Sequence, residues 1–142
     1  MAKKIIIRTD GGARGNPGPA AAGMVLEEPS GRELKAWGLY LGEATNNQAE
    51  YQALFQALKE AKKRQATEVD CYLDSELVVK QLKLEYKVKD KDLALVFMKI
   101  WNLVQEFNKV TFHHVPRERN KRADQLVNQV LDSAHTLEKK SP

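Results

Sequence analysis

The sequence predicts an α/β domain: a mixed sheet with helices packed on it. Two observations carry that expectation. A run of strand-like segments fills the first third of the chain, and two strand–helix–strand transitions follow it. No internal repeat and no linker separates the halves, and 142 residues suffice to bury one core. The chain therefore reads as a single domain over 1–142.

Each element has its own signal. Residues 3–9, K-K-I-I-I-R-T, are a short, mostly apolar run ended by Asp10-Gly11-Gly12, which reads as a central strand. Residues 13–19, A-R-G-N-P-G-P, read as loop. Residues 20–28 and 33–42 form two strands joined by a turn at Pro29-Ser30-Gly31. Thr45 with Gln48 three residues on fits a capping box, and Ala49, Ala53, Leu54, Ala57, Leu58 and Ala61 give the helix behind it one apolar stripe. Residues 68–73 alternate as a strand, and Asp74-Ser75 opens a short helix to about Leu84. Lys87 to Asp92 is a charged connector. Leu93 to Phe107 carries Val96, Phe97, Ile100, Trp101, Val104 and Phe107 at helical spacing, so its aromatics read as core packing. Val110 to Val115 is a last strand and Pro116 to Arg119 a loop. Asn120 then caps a final helix with Ala123, Leu126, Val127, Val130, Leu131 and Ala134 on its buried face. The tail over 136–142 reads as frayed.

Composition excludes several function classes. Hydrophobic residues make up 42% and charged residues 30%, ordinary for a globular domain. No apolar run is long enough to span a bilayer, and the first residues lack a signal peptide's apolar core, so no membrane partner is expected and the chain reads as cytoplasmic. Cys71 is the only cysteine, which excludes an internal disulfide and a multi-cysteine zinc site. The net charge of +4 is compatible with a polyanionic partner. Lys80, Lys83, Lys87, Lys89 and Lys91 read as a solvated face. Arg117, Arg119, Lys121 and Arg122 are more telling, because they lie directly before Asp124.

Four carboxylates carry the chemistry. Asp10, Glu50, Asp74 and Asp124 each stand at or near the end of an element. Alone, each has an ordinary use: Asp10 ends a strand, Asp74 caps a helix, and Asp124 complements a helix dipole. Glu50 has the least comfortable one, because it borders an Ala/Leu stripe. Taken together they predict a cation site, since a carboxylate at a sheet's mouth is costly to desolvate unless something cationic compensates it. Oxygen-only donors suit Mg²⁺ or Mn²⁺. If the strands ending at Asp10 and Asp74 are adjacent and parallel, both carboxylates emerge at one edge, within reach of Glu50 and Asp124. Two-metal phosphoryl transfer needs such a cluster and no protein nucleophile.

The chain resembles ribonuclease H of type 1, the endonuclease that cuts the RNA strand of RNA–DNA hybrids. T-D-G-G-A-R-G-N-P-G-P at 9–19, T-N-N-Q-A-E-Y-Q-A-L at 45–54, Y-L-D-S-E at 72–76 and R-E-R-N-K-R-A-D-Q-L at 117–126 carry the likeness, in the family's order. The resemblance implies a five-stranded mixed sheet flanked by helices, with three antiparallel strands first. It implies two Mg²⁺ or Mn²⁺ ions on Asp10, Glu50, Asp74 and Asp124, with Asp10 bridging, Asp124 on the water-activating ion, and Glu50 with Asp74 on the other. It also implies cleavage to a 5′-phosphate and a 3′-hydroxyl by a monomer. By the same analogy the backbone of Gly11, Gly12, Ala13 and Gly15 approaches RNA 2′-hydroxyls. Asn16, Thr45, Asn46 and Asn47 then contact the minor groove and the DNA phosphate.

The sequence departs from well-known bacterial members in three places. Residues 85–92 leave room only for a connector, where those members carry a helix and basic loop, so the chain looks closer to compact archaeal and bacterial forms. Glu76 stands where many have a neutral polar residue contacting RNA. The loop before Asp124 lacks the family's histidine, which makes Arg117 the candidate for assisting catalysis by neutralising phosphate charge; His113 and His114 fall in the preceding strand with structural roles. Double-stranded RNA stays open as a second substrate. Two alternatives remain: a catalytically silent module binding hybrid or double-stranded RNA on the same fold, and a nuclease for another polynucleotide.

Overall fold

The computed structural model describes residues 3–140, with side chains through Ala134. Five strands form one sheet: β1 (Lys4–Ala13), β2 (Gly18–Glu27), β3 (Glu33–Ala44), β4 (Glu68–Leu73) and β5 (Lys109–His114), in the spatial order β3-β2-β1-β4-β5. The first three pair antiparallel, while β4 and β5 join parallel to β1.

Two strands extend into what reads as turn and loop. β1 does not stop at Asp10, because Gly11, Gly12 and Ala13 pair with Ala22, Ala21 and Ala20. Gly18 and Pro19, read as loop, begin β2 opposite Ala44 and Glu43. A proline is tolerated at a strand's start, where no interior ladder bond needs its missing N–H. The true loop shrinks to four residues, 14–17.

Helix α1 (Asn46–Lys63) starts as its capping box requires. Thr45 Oγ1 accepts the Gln48 N–H at 3.1 Å, and Gln48 Oε1 accepts the Thr45 N–H at 2.9 Å. All six stripe residues are buried. Helix α2 (Glu76–Leu82) is capped by Ser75, whose Oγ accepts the Val78 N–H, and not by Asp74. Helix α3 (Lys91–Val104) begins before Leu93 because Asp90 Oδ1 accepts the N–H groups of Asp92 and Leu93. Its aromatics pack as expected: Phe97 lies edge-on to Tyr51 and to Trp101, with centroids 6.4 and 6.1 Å apart. A 3-10 turn over Arg117–Arg119 leads to α4 (Lys121–Lys140). The backbone of α4 continues five residues into the stretch read as frayed, and residues 141–142 lie outside the described residues.

β2 is buried on both faces. Ala22, Met24 and Leu26 join the core under α1 and α3, while Ala21 and Val25 meet Val127, Leu131, Ala123 and Leu126 of α4. Successive side chains point to opposite faces, so one strand serves both layers. Gly23 permits the second layer: a Cβ there would lie 2.3 Å from the Ala123 carbonyl oxygen, so only glycine lets α4 lie this close. Since Asp124 follows Ala123, that contact also sets where Asp124 stands. Among the described residues no helix is long and apolar enough to cross a membrane.

Candidate active site

The site lies where β1 and β4 run side by side. Their parallel register aligns Thr9 with Leu73, so Asp10 and Asp74 leave adjacent positions at the same end of the sheet. Alternation along β1 puts Asp10 on the face opposite Ile5 and Ile7. Glu50 comes from α1, which crosses β1 at Gly11. A Cβ on Gly11 would sit 2.2 Å from the Ala49 carbonyl carbon and 2.4 Å from the Glu50 nitrogen. Gly11 is therefore explained by helix packing, independently of any ligand.

One carboxylate oxygen from each of Asp10, Glu50 and Asp74 lies within 4.8 Å of the others. Asp10 and Glu50 are only 5% and 6% exposed. Burial, then repulsion from Asp74, raises the Asp10 carboxyl from 3.8 to about 7. Burial, with the charges of Asp10 and Asp74 adding to it, pushes Glu50 well above its ordinary 4.5, and Glu50 Oε2 has no hydrogen-bond partner among the described residues. Asp124 lines the same cleft and also acts on Asp10, raising its pKa further. Buried like charges with a partnerless oxygen are an arrangement that a hard cation relieves, and an all-oxygen donor set fits Mg²⁺ or Mn²⁺.

Asn120 holds this cluster from behind. The sequence suggests a cap, but the side chain turns inward. Its Nδ2 donates to the Thr9 carbonyl at 2.8 Å and to Asp74 Oδ2 at 3.2 Å. Its backbone carbonyl accepts the Asp124 N–H at 3.1 Å. One residue thus ties β1, Asp74 and the start of the helix bearing Asp124. With Ser75 acting as cap, Asp74 is left for the cluster.

The acids line an open cleft of about 500 Å³. Gly11, Gly12, Ala13, Asn46, Asn47 and Arg117, all singled out by sequence, line it too. Gly15, Asn16, Thr45 and Glu76 do not line it. Thr45 is committed to its cap, and Asn16 Oδ1 accepts the Asn46 N–H at 3.0 Å. Glu76 pairs with Lys80 at 2.9 Å, and hydrogen bonding to that ammonium lowers its carboxyl pKa. Asn46 Oδ1 accepts the Ala13 N–H at 2.8 Å, so this residue braces the end of β1 as well as facing the cleft. His113 stacks on Tyr72, centroids 4.7 Å apart, away from the cleft lining. Sequence reasoning missed Arg14, Ser75 and Asn128 in the lining. Asn128 was detectable, being one helical turn beyond Asp124; Arg14 stands inside the 9–19 motif, where the sequence pointed to its neighbours and not to its side chain.

A family model described as reverse transcriptase-like matches residues 8–130. A ribonuclease H of Prosthecochloris aestuarii is 35% identical across 92% of this chain and 97% of its own length. The chain belongs to the ribonuclease H family. Solved members of the family superpose closely on it. The N-terminal RNase H domain of a Mycobacterium tuberculosis protein, solved as a fusion with maltose-binding protein, is 40% identical with a TM-score of 0.92, covering 95% of this chain and 98% of that one. LC11-RNase H1, solved in complex with an RNA/DNA hybrid, is 46% identical with a TM-score of 0.87, covering 92% of this chain and 98% of that one. Mycobacterial relatives 41% identical over 92% of this chain are longer proteins, and the chain spans 36% of their length.

Proposed function

We propose that this chain is an endoribonuclease that hydrolyses the RNA strand of RNA–DNA hybrids with two divalent cations, Mg²⁺ or Mn²⁺, leaving a 5′-phosphate and a 3′-hydroxyl. The observation that carries it is the Asp10–Glu50–Asp74 cluster, two of its carboxyls buried, opening on a cleft that Asp124 and Arg117 share. Family membership supplies the reaction class, and the RNA/DNA hybrid bound by LC11-RNase H1 supports the substrate.

Asp10, Glu50 and Asp74 would hold one cation, and Asp10 with Asp124 the second. When bound, such cations supply water activation and neutralise charge on a phosphodiester. The chain's own residues do the rest. Asn120 fixes the Asp74 carboxylate, so the donor set is organised before any cation arrives. Asn46 and Asn47, in the first turn of α1, offer polar groups where a helix N-terminus already favours phosphate. Gly11, Gly12 and Ala13, at the end of β1, line the cleft and would present backbone to RNA 2′-hydroxyls. Arg117, on the 3-10 turn, would neutralise the phosphate beside the reacting bond. The protein would work as a monomer, with double-stranded RNA as the second candidate substrate.

A silent binding module fits less well, because a pure binder gains nothing from repelling phosphate with buried carboxylates. Incubating a labelled RNA–DNA hybrid, an RNA duplex and a DNA duplex with the protein, with Mg²⁺, with Mn²⁺ or with chelator, decides among the readings. Cation-dependent cutting of the hybrid's RNA strand is expected. Binding of hybrid without cleavage under either cation would favour the silent module.

A further inference from the structure

The cleft holds a cation that the reaction above does not use. Arg14 lines it from the β1–β2 loop, and its Nη2 donates to Asp132 Oδ1 on α4 at 2.5 Å. The loop is a built support. The Ala13 N–H is held by Asn46 Oδ1, the Asn46 N–H by Asn16 Oδ1, and the Arg14 N–H by the Pro19 carbonyl at 2.8 Å. These bonds fasten the backbone around Arg14 to the start of α1 and to β2, so the guanidinium leaves the loop from a defined point.

Its position along the cleft follows from α4. Asp132 is eight residues beyond Asp124, about 12 Å along the helix axis. At about 3.4 Å of rise per nucleotide, that lies a few nucleotides from a phosphodiester centred on the carboxylates. Four acids repel a polyanion there, so affinity must come from cations at the cleft's margins, and Arg14 is one of them. The Arg14–Asp132 pair is also easily exchanged. Its side chains are 43% and 69% exposed, and solvent-exposed pairs contribute roughly 0–1 kcal/mol. A phosphate, accepting two parallel N–H bonds from a guanidinium, is the stronger partner.

We propose that Arg14 is a substrate-positioning residue: held on Asp132 in the free protein, its guanidinium transfers to a backbone phosphate of the bound polynucleotide a few nucleotides from the reacting bond. Asp132 is then an internal competitor that lowers affinity and releases Arg14 only to a phosphate in register. This inference rests on the nuclease reading, and its test is separate from cleavage.

Hybrid affinity is measured in chelator, where no cutting occurs, at several salt concentrations for wild type, Arg14→Ala, Arg14→Lys, Asp132→Asn and the double variant Arg14→Ala/Asp132→Asn, with melts to verify folding. Arg14→Ala is expected to weaken binding roughly tenfold and to flatten the log–log salt dependence by about 0.7–0.9, the release of one counterion. Arg14→Lys restores the salt slope but only part of the affinity, lacking the fork. Asp132→Asn tightens binding several-fold, and this gain disappears in the double variant. If Arg14→Ala binds with wild-type affinity and slope, or if Asp132→Asn tightens binding equally without Arg14, the exchange is overturned while the nuclease reading stands. If wild type binds no hybrid in chelator, the exchange is overturned, while the nuclease reading is decided by cation-dependent cleavage.

Discussion

Replacing Asp10 by Asn should stabilise the cation-free protein, and the gain should depend on pH. In the unfolded chain the Asp10 carboxyl titrates near 3.8; folding raises it to about 7, chiefly by burial and secondly by the charge of Asp74. Between those values the folded protein keeps a proton that the unfolded chain has released. Stability therefore falls as pH rises through that window and levels off above it. Below about pH 4 both states are protonated and the penalty vanishes. The interval from 3.8 to about 7, at about 1.4 kcal/mol per tenfold, corresponds to about 4 kcal/mol above pH 7. That figure counts Asp10 alone; removing its charge also relieves part of the repulsion that raises Glu50, which adds to the gain. Asn, carrying no charge, lacks the slope.

The assay is a set of thermal melts in chelator from pH 4 to 8. Wild type and Asp10→Asn should melt together near pH 4 and separate with rising pH, the variant ending on the order of 10 °C higher. Adding Mg²⁺ or Mn²⁺ should close the gap, since a ligand that binds only the folded state stabilises it by mass action and the variant has lost a donor. Hybrid cleavage by the variant should be abolished. Parallel melting curves at every pH would refute the argument, because the buried carboxyl would then carry no strain for the cation to relieve.

Three further outcomes follow from the geometry. Arg117→Ala should depress turnover roughly ten- to a thousandfold, more than it weakens hybrid binding, and Arg117→Lys should recover only part, as steady-state kinetics with binding measurements will establish. Asn120→Asp should weaken cation binding in calorimetric titration, because it removes the donor to Asp74 and adds a like charge; Asn120→Ala should cost stability by about 1–3 kcal/mol, leaving the Thr9 carbonyl without its buried donor. Gly11→Ala should destabilise by roughly 3 kcal/mol or fail to fold, since its Cβ meets helix backbone, whereas Gly12→Ala, whose Cβ would lie 3.6 Å from Val127 Cγ1, should melt close to wild type. Equal melting of the two glycine variants would sink the packing account of Gly11.

Elements governed by local chemistry were legible in the amino-acid order. The box of Thr45 and Gln48, the alanine and leucine stripe behind it, and the alternation over 68–73 are each completed within one element, and each stands in the structure. Boundaries governed by pairing were not. Gly11 to Ala13 and Gly18-Pro19 have turn-like composition, yet they are strand because β2 and β3 supply partners that composition does not encode. The four acids were legible as candidates because Glu50 borders an apolar stripe and all four stand in motifs that follow one another in the family's order. Asp74 became available only because Ser75 took the cap, a choice between adjacent residues that either could have filled.

By itself the sequence determined the kinds of element, their order, and which side chains carry charge to the sheet's edge. Tertiary structure decided which of those groups meet. Asn120 reaches Thr9 across 111 positions of sequence, and Arg14 reaches Asp132 across 118. The closeness of three like-charged carboxylates depends on the parallel register of β1 and β4 and on a glycine that lets α1 cross above it. The pKa of a buried acid is set by what surrounds it in space. Periodicity and caps are short-range and can be read along the chain. Desolvation and charge coupling arise only when the fold brings distant segments together, as it does for Asp10, Glu50 and Asp74.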